Sequence, residues 1–299
     1  MNFTIAKSLD DALTALAAGA RPIAGGSDLV VAARHGKAPL PADVVAIDRI
    51  GEMRHITTLA DGSVRIGALT NHAELEINTT IVRGFTALAD GSALVGSPAT
   101  RNVGTLGGNV MNASPAMDTG APLVVLGASL ELTSVDGART VTVDDLWSGP
   151  GRTSARGNEL CTAILIPARP ASSGSAYLRL EYRRAMEIAV VGAAAAVTFN
   201  DDGTLASIAV ALTAVGPMIV SVPFDSIVGR PVDESLLTEI AAAAAASATP
   251  ISDVRASDRY RRHTVGVMAR RAVAAAATRA RGTVISVPVN RAQGIGQAR

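Results

Sequence analysis

Two short stretches concentrate groups able to hold a ligand without charge: "IAGGSDL", Ile23 to Leu29, and "GTLGGN", Gly104 to Asn109. Each carries a glycine pair: Gly25 and Gly26 in the first, Gly107 and Gly108 in the second. Glycine permits positive φ and lets another group approach the main chain closely. A run of such positions can aim successive N–H groups into one concavity, as in the backbone nests that hold phosphate oxygens. Ser27, Thr105, Asn109, Asn112 and Ser114 add neutral hydrogen bonds suited to phosphate, ribose or a ring edge. The same glycine pairs serve equally well as tight turns between strands. Standard nucleotide signatures are missing, since there is no GxxxxGK[ST] and "VGTLGGN" does not match GxGxxG. A dinucleotide, if bound, is not held in the doubly wound manner.

Composition narrows the chemistry further. The chain of 299 residues has 27 basic and 26 acidic side chains and 3% aromatics. That balance offers neither a field for a polyanion nor base-stacking platforms, which argues against nucleic acid as a partner. A single cysteine, Cys161, rules out an intramolecular disulfide framework and an all-cysteine metal cluster held by this chain alone. The four histidines are scattered without paired ligand spacing, so no metal ligands are assigned. No acid–base pair or nucleophile constellation stands out, and no catalytic side chain is assigned either. The N-terminus lacks a basic region before an apolar run, and the apolar stretch Ile188 to Phe199 is too short to span a bilayer. The expectation is a cytoplasmic protein without membrane insertion.

The elements around the glycine stretches follow from local signals. Ser8 is an N-cap and Gly19 a stop for a helix over "SLDDALTALAAG". "RPIAGGSDLVVAARHG" reads as a short strand, a glycine turn and a helical start, and "DVVAIDRI" and "SVRIGAL" read as strands. "TNHAELEIN" reads as a short helix. "APLVVLGASLELTSVDGARTVTVDDL" reads as strand-like runs broken at Asp136-Gly137, and "ELCTAILIP" as a strand ended by Pro167. The Pro-, Ser- and Gly-rich residues 168–176 connect to a different region. There, hairpin strands precede two alanine-rich helices, "DESLLTEIAAAAAASA" and "DRYRRHTVGVMARRAVAAAATRAR", an α+β pattern. The tail from about Gly282 reads as irregular and mobile.

The pairing of "AGGSDL" with "RNVGTLGGNVMNASPAMD" resembles the FAD-binding medium subunit of the molybdenum hydroxylases, the group of xanthine, carbon monoxide and nicotinate dehydrogenases. The resemblance continues in order through "YLRLEYRRAMEIAVVGAAAAV", "ALTAVGPMIVSV" and "DVRASDRYRRHTVGVMARRAV", covering roughly residues 1 to 280. It implies an α+β fold: a two-subdomain FAD-binding fold of the vanillyl-alcohol-oxidase/PCMH type, followed by a C-terminal α+β domain with an antiparallel sheet plus helices. The expected division is 1–55 and 56–170 for the FAD-binding subdomains, 171–283 for the C-terminal domain and 284–299 for the tail.

By the same resemblance, Ile23, Ala24, Gly25, Gly26, Ser27 and Asp28 form one FAD loop. Gly104, Thr105, Leu106, Gly107, Gly108 and Asn109 form the other, with main-chain N–H groups of both loops as pyrophosphate donors. Asn112, Ser114 and Asp118 follow at the spacing of further contacts, Asp118 accepting from a sugar or ribityl hydroxyl. Asp28 and Asp118 also read as solvated turn carboxylates, and Asn112 and Ser114 as turn caps. Cys161 aligns with an apolar residue near the adenine and reads equally as a small core residue. Arg179 stands where the family often has lysine, so a guanidinium would meet the flavin edge or a phosphate. Glu187 replaces the usual aspartate, and Arg183 and Arg184 are flavin-side charges, subunit-contact charges or a solvated strand edge.

The implied function is that of an electron-transfer flavoprotein subunit. FAD, bound non-covalently because residue 27 is serine rather than histidine, takes electrons from [2Fe–2S] clusters of a small subunit and passes them to an external acceptor. The molybdenum cofactor sits in a large subunit that selects the substrate, and the assembly is a heterotrimer, paired into a dimer of heterotrimers. The lone cysteine excludes the additional cluster carried by relatives of hydroxybenzoyl-CoA reductase. No nucleotide fingerprint argues for NAD as the acceptor. The alternatives are a stand-alone FAD oxidoreductase of the same fold and a non-catalytic nucleotide-binding scaffold.

Overall fold

The computed structural model describes residues 2–224 and 227–295. They fall into two compact units, each assembled from separate stretches of chain. The first holds the residues up to Glu74, then Pro98–Ala113 and Gly127–Ala168; the second holds Leu75–Ser97, Ser114–Leu126 and everything from Arg169 onward.

In the first unit, strands β1 (Asn2–Ile5), β2 (Arg21–Ile23) and β3 (Asp43–Ala46) form a parallel sheet in the order β1-β3-β2. The expected first helix runs Leu9–Ala17 and buries Ala12, Leu13 and Leu16. Its cap is reciprocal: the Ser8 hydroxyl accepts from the Asp11 N–H, and the Asp11 carboxylate accepts from the Ser8 N–H. A second sheet contains β4 (Ile56–Thr58), β5 (Val64–Gly67), β6 (Ser129–Ser134) and β7 (Gly137–Thr142), while β8 (Trp147–Gly149) and β9 (Arg152–Thr153) pair separately. Strand β10 (Leu160–Ile166) is central, giving the antiparallel order β4-β5-β10-β6-β7. Its "LCTAILI" run is buried at six of seven positions, because both neighbours and both faces cover it.

The second unit is built on a sequential antiparallel sheet of β11 (Ser173–Leu180), β12 (Val191–Phe199), β13 (Leu205–Thr213) and β14 (Val220–Ser221). Val191, Ala193, Ala195 and Val197 face one core with the helices Glu234–Ser247 and Asp258–Ala280. On the opposite side Ser175 of β11 accepts a hydrogen bond from the Ala87 N–H, and the helices Thr86–Leu94 and Gly120–Val125 pack there. All nine residues of β12 are therefore buried, which explains a continuous small-apolar run where a one-sided strand would alternate. The two long helices are capped by Asp233, which accepts from the Leu236 N–H, and by Ser257, which accepts from the Tyr260 N–H.

Three segments depart from the sequence reading. Residues 121–125, expected in a strand, belong to the helix Gly120–Val125, which Leu126 closes. A short apolar run carries no period of its own, and Pro122 sits in the first turn, where its missing N–H costs nothing. Residues 75–97 and 114–126, assigned by sequence to the second FAD-binding subdomain, pack with the C-terminal sheet. The helix Thr86–Leu94 is buried at every position, so it needs cover on all sides. The tail is ordered as far as residue 295: the helix Val289–Ala292 places Val289 and Asn290 in the interior, while residues 296–299 of the expected irregular segment lie outside the described residues.

Among the described residues, no helix is long and apolar enough to cross a membrane, and no three His, Cys, Asp or Glu side chains gather as a metal site.

Candidate functional site

Strand β2 runs directly into Ala24–Asp28, and the helix Leu29–Arg34 leaves it. Gly25 is required by packing: a Cβ there would overlap the Val103 carbonyl group and stand 3.2 Å from the Gly104 nitrogen. Gly26 is required by conformation, since it adopts φ +67°. Together they turn the chain tightly against residues 103–104. The N–H groups of Gly25, Gly26, Ser27 and Asp28 find no hydrogen-bond partner among the described residues. Gly25 and Asp28 are exposed and Gly26 and Ser27 half-buried, so the loop lies open to solvent. The Asp28 carboxylate accepts from the Asn112 amide at 3.3 Å, and crowding by surrounding protein atoms raises its carboxyl above the ordinary value.

The second glycine stretch is not a loop. Thr105 is the N-cap of the helix Leu106–Met111, its hydroxyl accepting from the Gly108 N–H at 3.1 Å. The Gly104, Leu106, Gly107 and Asn109 N–H groups donate to the carbonyls of Thr100, Thr70, Ala68 and Thr105. Five of the six N–H groups in this stretch are thus engaged within the protein, leaving Thr105. The glycines here serve close packing: a Cβ on Gly107 would stand 2.6 Å from the Ala68 Cβ. Leu106 is fully buried, and the Trp147 indole N–H fixes the helix by donating to the Val110 carbonyl at 3.0 Å. The chain leaves through Asn112 and Ala113, the latter at φ +50°, in the left-handed region that side chains rarely enter.

Cys161 lies on β10 beside an irregularity in the β6 pairing. Burial pushes its thiol up to about 12, so it is an inert, protonated core group.

Ser114, Asp118 and Arg179 belong to the second unit. The Ser114 hydroxyl accepts from the Ala116 N–H, the turn-capping role. Arg179, expected at a flavin edge or phosphate, is fully buried. Its guanidinium donates to Asp118 at 2.6 Å, to Glu181 at 2.8 Å and to the Glu187 carbonyl at 3.2 Å. Asp118 also accepts from the Tyr177 hydroxyl at 2.8 Å. Burial raises the Asp118 carboxyl, opposed by the Arg179 charge, and pushes the Tyr177 phenol well above its ordinary value. Glu187 lies within reach of Arg183, at 3.6 Å.

Sequence reasoning passed over two groups. His72 was counted among scattered histidines; its ring is buried, its Nδ1 lacks a partner, and burial first, then the Arg101 charge, lowers it to about 4. Asp90 is fully buried and accepts from Arg279 at 2.5 and 3.1 Å, from the Tyr177 N–H at 3.1 Å and from the Val289 N–H at 2.9 Å. No local signal could reveal a pair 189 residues apart.

Comparison with known proteins places these features in a context. Residues 1–169 match the family described as the FAD binding domain in molybdopterin dehydrogenase, and residues 176–276 match the CO dehydrogenase flavoprotein C-terminal domain. The carbon monoxide dehydrogenase medium chain of Afipia carboxidovorans is 35% identical over 280 residues, covering 92% of this chain and 96% of the relative. The putative xanthine dehydrogenase FAD-binding subunit XdhB of Escherichia coli is 29% identical, covering 93% and 96%. Among solved structures, a chain of the Cu,Mo-CO dehydrogenase superposes with TM-score 0.88 at 33% identity, covering 93% of this chain and 98% of its own. A chain of quinoline 2-oxidoreductase from Pseudomonas putida 86 gives 0.86 at 26% identity, covering 94% and 98%.

Proposed function

Because the chain belongs to the FAD-binding family of the molybdopterin dehydrogenases, we propose that it relays electrons between [2Fe–2S] clusters on a small partner subunit and an external acceptor. The observation that carries this reading is the run of four main-chain N–H groups, Gly25 to Asp28, without partners and within reach of a ligand. Such a run fits a pyrophosphate, whose oxygens accept several hydrogen bonds at once, and it needs no lysine. FAD, when bound, supplies redox chemistry able to take up electrons singly and release them in pairs.

The chain's own residues position and shield. Ile23 and Ala24 deliver the loop from β2, and Gly25–Asp28 hold phosphate oxygens. Gly104, Gly107 and Gly108 let the facing backbone close up, and Leu106 and Cys161 supply dry walls. Thr105, Asn109, Asn112 and Ser114 offer neutral hydrogen bonds to the sugar and ring edges. Asp118 takes a ribityl or ribose hydroxyl, and Arg179 stiffens it through Nη1 while its Nε pairs with Glu181. Attachment is non-covalent, with a serine hydroxyl at residue 27.

Relatives named as medium chains and FAD-binding subunits, matched over nearly their whole length, support a companion large subunit with the molybdenum cofactor and a small iron–sulfur subunit. The assembly is a dimer of heterotrimers in the cytoplasm. Purified chain should show bands near ~370 and ~450 nm, as oxidised flavins do, and release FAD on acid precipitation. Purification from the host should recover both partners. A colourless chain that takes up no added FAD refutes the cofactor reading; a solitary yellow subunit that reacts directly with small substrates favours the stand-alone oxidoreductase.

A further inference from the structure

His72 has no role in the reading above, yet its surroundings are unusual for a core histidine. The chain rises from β5 through Ala68, Leu69 and Thr70, and the His72 N–H donates to the Gly104 carbonyl at 3.2 Å. The ring beyond it is 1% exposed. Its Nδ1 is buried without a partner, whereas Nε2 is not among the atoms that are both buried and unpaired. A neutral imidazole carries one N–H and one bare nitrogen, and burying either without a partner is expensive. A core histidine kept for packing alone would pair its buried Nδ1 or give way to an apolar ring.

What flanks the ring suggests the missing acceptor. A Cβ placed on Gly104 would stand 3.5 Å from the ring's Cδ2 and 3.6 Å from the Ser27 Oγ. The edge of the imidazole and the serine hydroxyl therefore border the same glycine. The Ser27 hydroxyl has no protein partner among the described residues, and Ser27 belongs to the run of four unpaired N–H groups. The carboxylate closest in sequence, Asp28, already accepts from Asn112. The Ser27 hydroxyl and the loop N–H groups thus lie near the ring with donors to spare, a setting suited to an anionic oxygen. Burial keeps the imidazole neutral at pH 7, so it contributes one directed hydrogen bond rather than a charge.

We propose that His72 is a further cofactor-binding residue, whose ring N–H donates to a phosphate oxygen of the dinucleotide held at Gly25–Asp28, beside the Ser27 hydroxyl. This rests on the FAD reading of the preceding section. It also makes the site selective for the diphosphate: His72 contributes to FAD and ADP, and nothing to riboflavin.

The test uses the full chain stripped of flavin, with His72→Phe, which keeps a planar ring and removes both nitrogens. Flavin fluorescence gives the FAD dissociation constant, ADP competes for the same site, and melting without ligand reports on the fold. The expected result is FAD and ADP binding weakened by about tenfold or more, the loss of a hydrogen bond to a charged group. Riboflavin binding should not change, and the ligand-free melting temperature should be equal or higher. Unchanged FAD affinity in the variant, with wild type binding normally, overturns the role of His72 and leaves the FAD reading intact. A markedly lower ligand-free melting temperature also overturns it, because the ring would then be paired inside the protein. His72→Gln, which restores a donor, should recover part of the affinity. Wild type that binds neither FAD nor ADP refutes the underlying cofactor reading and this inference with it.

Discussion

Gly25→Ala is the sharpest test of the phosphate-loop geometry. The added methyl would overlap the carbonyl of Val103 and come within 3.2 Å of the Gly104 nitrogen. An ordinary carbon–oxygen contact runs at about 3.3–3.6 Å, so the two backbone segments must part by more than an ångström. Neither can yield cheaply. The residue before Gly104 closes the short helix Pro98–Val103, and the Gly104 N–H is bonded to the Thr100 carbonyl at 2.7 Å. Overpacking of this kind costs about 1–3 kcal/mol of stability. The effect on ligand is larger, because displacing the run Gly25–Asp28 by an ångström stretches two or three charge-assisted hydrogen bonds beyond useful length. At about 1.5 kcal/mol each, FAD affinity should fall by about 10²–10³-fold. Gly51→Ala is the control, since a Cβ there meets nothing within 4 Å. Fluorescence titration of both variants, with melting curves alongside, separates the two effects. If Gly25→Ala binds FAD within threefold of wild type, the loop does not hold the diphosphate and the argument from its N–H groups fails.

Other consequences can be checked on the same chain. Asp90→Asn leaves the nearly buried Arg279 cation without a counter-ion and should cost about 3–5 kcal/mol in urea unfolding, whereas adding Arg279→Met should recover much of that loss. Glu159 is held down to about 2, chiefly by its hydrogen bonds from Arg139. Its folded value lies below its unfolded one, so the stabilisation is present above about pH 4.5 and lost as pH falls through 2; Glu159→Gln should flatten that acid limb in a pH series of melts. His72, lowered to about 4, remains neutral in the fold while the unfolded imidazole charges near 6.5. The ligand-free chain should therefore lose stability between pH 6.5 and 4 by up to about 3 kcal/mol, and His72→Phe should remove that slope.

Much of the architecture is legible because its signals are local. Ser8 caps the first helix as its sequence indicates, and the hairpin β6–β7 forms at the expected break. The first glycine stretch reads correctly as a strand, a turn and a helix start. The second misleads, because Gly107 and Gly108 suggest an open loop while Thr105 acts as a cap. There the need is for thin backbone against Ala68, which a sequence records in the same way as flexibility. The ionic groups are the least legible. Arg179 looks like a ligand residue until Asp118 and Glu181 are found around it, and Arg279 looks like one more solvated cation on an alanine-rich helix until Asp90 is placed beside it. Pairings of this kind depend on which segments share a unit, and that follows from the fold as a whole.

The interleaving of the two units bears on how the molecule can be dissected. The chain passes from one unit to the other at 74/75, 97/98, 113/114, 126/127 and 168/169, so no single cleavage releases either as a contiguous fragment. A piece ending near residue 168, where the first family match ends, would carry Leu88 and Leu123 without the sheet that buries them. Those apolar side chains would face water and invite aggregation. A protease nick in any one crossing, by contrast, leaves both bodies fully furnished with their own segments. Genetic transfer of the first unit alone therefore needs short bridges in place of 75–97 and 114–126, not merely a stop codon after 168.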